Sequence, residues 1–174
     1  DGAYLAENLL SKGYKVIGAK RRNTGQQYWR LDRLGISKDI EFVDFDLTEP
    51  YSAEHLLKTY QPDEFYNLGA QSFVGLSFDQ PHVTTHTNAV GVLHLLEAIR
   101  QRSPHTRFYQ ASTSEMFGKV KEVPQKETTA FHPRSPYGVA KAYAHYMAVN
   151  YRESYNLFTS CGILFNHESP LRGD

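Results

Sequence analysis

Apolar positions along this chain fall into two alternating rhythms. Residues 3–12 (AYLAENLLSK) carry Leu5, Leu9 and Leu10 at helical spacing, and Gly13 stops them. The apolar run 14–20 (YKVIGAK) is predicted as a strand, followed by the polar stretch Arg21, Arg22, Asn23, Thr24 and Gly25. Helix is predicted again over 28–34, a strand over 39–47 closing on Asp44 and Asp46, and a helix over 50–60 that Pro62 breaks. A buried strand within 63–72 runs into a small-residue turn at Gly69 and Ala70. After Pro81 a longer helix carries Val90, Leu93, Leu96 and Ile99 on one stripe. Strands at 106–112 and 157–165 bracket a helix over 135–154. This alternation predicts an α/β fold, a doubly wound parallel sheet of Rossmann-like type in one domain over 1–174. No linker, repeat or low-complexity tract interrupts it.

Such a sheet gathers ligands at the carboxyl ends of its strands. The polar clusters here fall at predicted strand ends: Arg21 and Arg22, Asp46, and residues 69–72, 112–115 and 166–168. That sorting predicts a single site. Its centre is the pair of strings FYQASTSEMFG (108–118) and RSPYGVAK (134–141). The first ends a strand in Ser112, Thr113, Ser114 and Glu115. The second opens a helix that places Tyr137 and Lys141 four residues apart on one face. An ammonium that close is expected to favour the phenolate and lower the tyrosine pKa toward that of a general base. Glu115 is a second candidate base. A tyrosine and a lysine at this spacing are also common on solvated helices, and it is the hydroxyl-rich strand end ahead of them that points to chemistry.

Two further features suggest a dinucleotide. Gly2, directly before a helix, reads as the last glycine of a phosphate-binding turn whose strand and earlier glycines are missing. Arg21 and Arg22 follow the next strand, where an acid would accept from a ribose 2′-hydroxyl. Arginines there suit a 2′-phosphate, and so NADP over NAD.

Bulk properties narrow the partners. Nineteen basic and nineteen acidic residues cancel, which leaves no field to attract nucleic acid or an anionic membrane. No apolar run approaches the ~20 residues that span a bilayer. The single cysteine, Cys161, cannot form an internal disulfide and lies in the apolar run SCGILF, as a buried small hydrophobe in a reducing, cytoplasmic compartment. His82, His86 and His94 lie near one helix without a carboxylate or thiolate set, so no metal is expected.

The strings DGAYLAENLLSKGY, EFYNLGAQSFVGLSFDQP, RFYQASTSEMFGK, PRSPYGVAKAY, NYRESYN and GILFNHESPLRG cover nearly the whole chain. They resemble the extended short-chain dehydrogenase/reductase family, and within it the dehydratases of GDP-mannose. The resemblance implies a catalytic set of Thr113, Glu115, Tyr137 and Lys141. It implies NADP held by Gly2, Arg21, Arg22 and Asn23, with Thr24 beside them, by Asp46 and Leu47 around the adenine, by Leu68, Gly69, Ala70 and Gln71, and by Lys141, His167 and Arg172. Ser72, Ser114 and Asn166 would face the sugar, and residues 166–174 would begin the substrate-binding elements.

The implied activity is oxidation at C4, loss of water across C5 and C6, and hydride return to C6, giving GDP-4-keto-6-deoxymannose. A homodimer through the 135–154 helix, which presents Tyr143, Tyr146, Met147 and Val149, or a homotetramer involving the loop at 21–24, is also implied. The chain departs from the family at Ala130, Phe131 and His132, where Pro and Tyr are usual, and His132 is read as a surface residue. The resemblance also marks the chain as a fragment, without its first strand or most of the later substrate domain, and so as inactive by itself. Three alternatives stay open: a 4-keto-sugar reductase, which would not need Glu115; a dehydratase of another nucleotide sugar; and a non-catalytic dinucleotide-binding module.

Overall fold

The structure, a computed structural model, describes residues 1–22 and 28–172. Asn23 and Thr24 lie outside the described residues. The chain forms two compact units: Asp1–Asp46 with His167–Asp174, and Leu47–Asn166.

The first unit contains helix α1 (Gly2–Ser11), strand β1 (Ile17–Lys20), the short helix α2 (Trp29–Arg33) and strand β2 (Glu41–Asp44). β1 and β2 are parallel, with Ile17 opposite Glu41 and Lys20 opposite Asp44. Lys20 Nζ donates to Asp44 Oδ1 at 3.2 Å, joining the carboxyl ends of the two strands. Both strands are shorter than the runs predicted at 14–20 and 39–47, because Tyr14, Lys15 and Val16 lie ahead of the paired register.

The second unit holds helix α3 (Pro50–Tyr60), strand β3 (Glu64–Asn67), helices α4 (Leu76–Asp79), α5 (Pro81–Thr85) and α6 (Gly91–Arg102), strand β4 (Arg107–Thr113), helix α7 (Pro136–Tyr155) and strand β5 (Thr159–Leu164). β3, β4 and β5 form a parallel sheet in that order. The helix-linked parallel strands of both units give the Rossmann-like architecture, with the strands divided between two sheets.

Local chemistry sets the helix ends. Pro50 starts α3 with its fixed φ, Glu49 accepts from Tyr51 N at 3.4 Å, and Gln61 closes the helix in the left-handed region. Gln61 Nε2 then donates to Leu57 O at 2.8 Å and to Arg102 O at 2.7 Å, tying the end of α3 to that of α6. In α7, Ala140, Ala144 and Ala148 recur every four residues and are buried, so the helix lies close on β4 and β5. Phe108, Leu95, Leu96, Leu57 and Ile99 fill the core of this unit.

The long helix predicted after Pro81 is interrupted by one wide π turn (His86–Val90) between α5 and α6. The buried positions are Thr84, Asn88, Ala89, Gly91, Val92, Leu95, Leu96, Ala98 and Ile99, whereas Leu93 of the predicted stripe is only half-buried, because that stripe steps by three residues, short of the helical 3.6, and Val90 lies at the edge of the turn.

α6 and α7 are locked through Glu97. Its carboxylate accepts from Arg100 Nε and Nη2, each at 2.9 Å, and from the buried Tyr151 hydroxyl at 2.5 Å. The Arg100 guanidinium first, then the Tyr151 hydroxyl, hold the Glu97 carboxyl down to about 2. A depressed folded-state pKa gives stability that is complete above the ordinary carboxyl value and is lost as pH falls toward the folded one. Thermal stability is therefore expected to fall between about pH 5 and about pH 2, and to fall less in Glu97→Gln, which carries no titrating group there. Melting curves of both proteins across that interval check this. Equal losses would remove Glu97 from the account.

Candidate active site

β4 brings the hydroxyl cluster to its carboxyl end and then turns tightly through residues 114–116. Thr113 Oγ1 accepts the Glu115 backbone N–H at 3.2 Å, which closes the turn and leaves the Thr113 hydroxyl proton free to donate. Hydrogen bonding from Thr113 draws the Tyr137 phenol's pKa down. Glu115 is exposed, and its carboxylate acts on the same phenol through space.

Two features of α7 deliver Tyr137 to this place. Ser135 caps the helix, its Oγ accepting from Gly138 N at 3.0 Å, and Pro136 occupies the first helical position. Gly138 supplies the clearance. A Cβ there would meet the Glu115 carbonyl oxygen at 2.8 Å and the Pro133 Cβ at 3.1 Å. The glycine lets the first turn of α7 press against the 114–116 turn. The loop before α7 is latched to that turn as well: His132 N donates to Met116 O and Lys119 N to His132 O, each at 3.0 Å. His132 is thus half-buried and structural at its backbone, which a purely surface reading misses.

The expectation for the Tyr137 pKa is reversed in sign. Burial pushes the phenol up, the Thr113 hydrogen bond draws it partly back, and the Glu115 carboxylate pushes it up again. Lys141 does share the helix face with Tyr137, its Nζ lying 5.9 Å from the ring centroid. Yet its ammonium turns into the sheet and donates to Ala111 O at 3.0 Å. Lys141 is buried, and that burial pushes its own pKa down to about 8.

Ser112 alternates to the other side of β4, where its Oγ meets His145 Nδ1 at 3.0 Å. Burial, with Arg152 adding to it, keeps the His145 pKa low. Ser112 also hydrogen-bonds the Cys161 thiol, which is half-buried, less than expected, and pushed up by burial. These groups are occupied with one another. Ser114, half-buried, leads the tight turn.

After β3, the 68–72 turn is held by an amide clamp. Gln71 N donates to Asn88 Oδ1 and Asn88 Nδ2 donates to Gln71 O, both at 2.8 Å. Asn88 is fully buried in the π turn. Gly69 and Ser72 are exposed, and Leu68 and Ala70 half-buried. Leu47 packs beneath them: a Cβ on Gly69 would meet its Cδ1, and one on Gly91 its carbonyl oxygen, both at 2.8 Å. Asn166 is exposed beyond β5.

In the first unit Gly2 is the first residue of α1. Asp1 Oδ1 meets His167 Nε2 at 2.6 Å, and Arg172 Nη1 donates to His167 O at 3.3 Å while pairing with Glu168. Arg21 and Arg22 are exposed just past β1, and Asp46 is half-buried past β2.

Thr113, Glu115, Tyr137 and Lys141 are thus assembled at one strand end. Asn88, Ser135 and Gly138 support the site and are absent from the sequence-based set. The signal for Asn88 is an amide on an otherwise apolar helical face.

The profile of the family described as GDP-mannose 4,6 dehydratase matches residues 1–174. The chain is 54% identical over 181 residues to GDP-mannose 4,6-dehydratase of Vibrio cholerae serotype O1, covering 100% of this chain and 48% of that protein. To GDP-mannose 4,6 dehydratase of Homo sapiens it is 49% identical over 181 residues, covering 99% of this chain and 49% of that protein. Among solved structures, the UDP-glucose 4-epimerase of Thermus thermophilus in complex with NAD matches with a TM-score of 0.77 and 30% identity, over 92% of this chain and 50% of that one. The chain spans about half the length of the curated relatives it matches.

Proposed function

The chain belongs to the GDP-mannose 4,6 dehydratase family, and on that premise we propose that the full-length protein dehydrates GDP-mannose to GDP-4-keto-6-deoxymannose. The observation that carries this reading is a buried phenol and an exposed carboxylate at the end of β4, Tyr137 and Glu115, near enough for the carboxylate to raise the phenol's pKa. A dehydratase of this kind needs two bases, one for the 4-hydroxyl and one for C5.

The donor chemistry of the chain fits NADP. Two exposed guanidiniums follow β1, where a 2′-phosphate would be bound bidentately, and the Gly69-Ala70 turn follows β3. The Thermus epimerase holds NAD, so the Arg21-Arg22 pair is the feature that favours the phosphorylated form here. When bound, the dinucleotide supplies a hydride acceptor for C4 and later a hydride donor for C6, with no net consumption.

Tyr137, as its phenolate, takes the proton of the 4-hydroxyl; Thr113 draws its pKa down, and Lys141, assigned to assist it, is held beside the ring by Ala111 O. The 4-ketone so formed acidifies the proton on C5. Glu115 removes that proton and returns it to the departing 6-hydroxyl, which leaves as water; as hydride comes back to C6, the proton held by Tyr137 is released to C5, so both bases end as they began. Ser72, Ser114 and Asn166 are assigned to the sugar, and His167 and Arg172 to the cofactor. In this reading residues 1–174 are the dinucleotide-binding part, and 166–174 begin the substrate-binding part.

α7 leaves Val139, Tyr143 and Tyr146 exposed by 40% or more along one side, which supports assembly of two copies through this helix, as a homodimer or within a homotetramer. No helix among the described residues is long and apolar enough to cross a membrane, and the single free cysteine suits a reducing cytoplasm.

The test uses the full-length protein with GDP-mannose deuterated at C4 and either NADP⁺ or NAD⁺. A product lighter by one water, with deuterium at C6 and turnover preferring NADP⁺, is expected. Stoichiometric NADPH without loss of water would overturn the dehydratase reading.

A further inference from the structure

β3 ends on a buried amide and β4 carries another at its centre. Asn67 is 4% exposed and Gln110 1%, and parallel pairing sets them directly opposite each other. Amides are poor strand residues, and burying one is unfavourable unless its hydrogen bonds are met. Here they are met in a single line. Gly69 N donates to Asn67 Oδ1 at 3.2 Å, Asn67 Nδ2 to Gln110 Oε1 at 2.9 Å, and Gln110 Nε2 to Ala111 O at 3.0 Å. The same carbonyl accepts Lys141 Nζ at 3.0 Å.

The direction of this line is forced by its ends. A backbone N–H can only donate, so Asn67 must turn its oxygen to Gly69 and its amino group to Gln110. Gln110 must then present oxygen to Asn67 and its amino group to Ala111, whose carbonyl can only accept. Lys141, which can only donate, takes the second lone pair of that carbonyl. No member can flip without leaving a buried group unpaired, so the line transmits position. It runs from the Gly69 turn after β3 to the ammonium beside Tyr137.

We propose that Asn67 and Gln110 are positioning residues: a buried amide relay that sets the Lys141 ammonium and the Gly69 turn as one unit, so that the surface assigned to the dinucleotide and the group that assists Tyr137 are placed together. A core that needed only stability would be served as well by two apolar side chains of the same volume. Neither residue touches substrate in this account. The inference rests on the proposed roles of Lys141 and of the 68–71 turn.

Gln110→Met preserves side-chain length and removes both polar ends. In the full-length protein it is expected to lower kcat by about 10- to 100-fold through displacement of Lys141, with KM for GDP-mannose little changed. It also strands the Asn67 amide, so its melting temperature falls too. The deciding variant is the double replacement Asn67→Leu with Gln110→Met. It leaves no buried orphan, because Gly69 is exposed and its N–H can turn to water. Its melting temperature is expected to recover toward wild type while kcat stays low. Recovery of both together, or an unchanged kcat in Gln110→Met, would overturn the relay.

Should Gln110→Met fail to fold, the double variant, which leaves no buried orphan, carries the kcat comparison, and a wild-type kcat there overturns the relay. Should wild type not turn over GDP-mannose, the functional reading fails separately. The relay is then judged by calorimetric affinity for NADP⁺, expected to weaken about 5-fold or more in the double variant and overturned if unchanged.

Discussion

Tyr137→Phe in the full-length protein is expected to lower kcat for GDP-mannose by about 10³-fold, within the range contributed by a positioned proton-transfer group. KM should move little, since the ring and its packing persist and only the hydroxyl is lost. The fold is expected to survive, because the phenol oxygen is paired with Thr113 at a site opening beside the exposed Glu115 and no helix cap depends on it. The pH dependence gives a sharper check. Tyr137 acts as a base, so the rate rises as pH rises through its pKa, and burial sets that pKa above the ordinary phenol value in the free protein. The Thr113 hydrogen bond is what draws it down. Thr113→Val therefore moves the acid limb of kcat/KM to higher pH, whereas Tyr137→Phe abolishes the limb. A Tyr137→Phe enzyme that retains both rate and limb would assign the first proton to another group.

The Tyr137-Lys141 pairing shows how far sequence reading extends. The four-residue spacing and the serine and proline ahead of it are local, so the helix, its start and the shared face are all legible in RSPYGVAK. The electrostatics are not. Whether the lysine stabilises the phenolate depends on where the ammonium points, and it points to Ala111 on a strand thirty residues earlier. Burial of the phenol is likewise a property of the packed site. The same division explains α3, whose bounds follow from Pro50 and the turn before Pro62. In the helix after Pro81, a stripe stepped every three residues back from Ile99 selects Val90 and Leu93, whereas the buried face steps by three and four through Leu95, Val92 and Asn88. The π turn itself has no strong local signature. The Asn67–Gln110 contact joins residues 43 apart and exists only once β3 and β4 are in register. Nothing in either strand alone distinguishes it from two misplaced polar residues.

Glu115→Gln separates the two halves of the proposed reaction. The substitution keeps the backbone N–H that closes the turn on Thr113, so Tyr137 and the first oxidation are preserved. It removes the carboxylate that acts on the Tyr137 phenol, and with it the push that raises the phenol's pKa. The first proton transfer is therefore not impaired, and the acid limb of the oxidation step shifts to lower pH. The second transfer has no base left: an amide neither takes the C5 proton nor returns one to the 6-hydroxyl. Product formation is expected to fall by about 10²- to 10⁴-fold, the contribution of a general base. In a single turnover with C4-deuterated GDP-mannose, the absorbance of reduced nicotinamide should rise to a stoichiometric plateau as the 4-ketone forms and waits, where wild type shows only a transient. The two bases then appear as two separable steps, Tyr137→Phe blocking the rise and Glu115→Gln blocking the decay. Normal water loss in Glu115→Gln would leave a single base for both protons, and the exposed carboxylate at the end of β4 would have no part in the elimination.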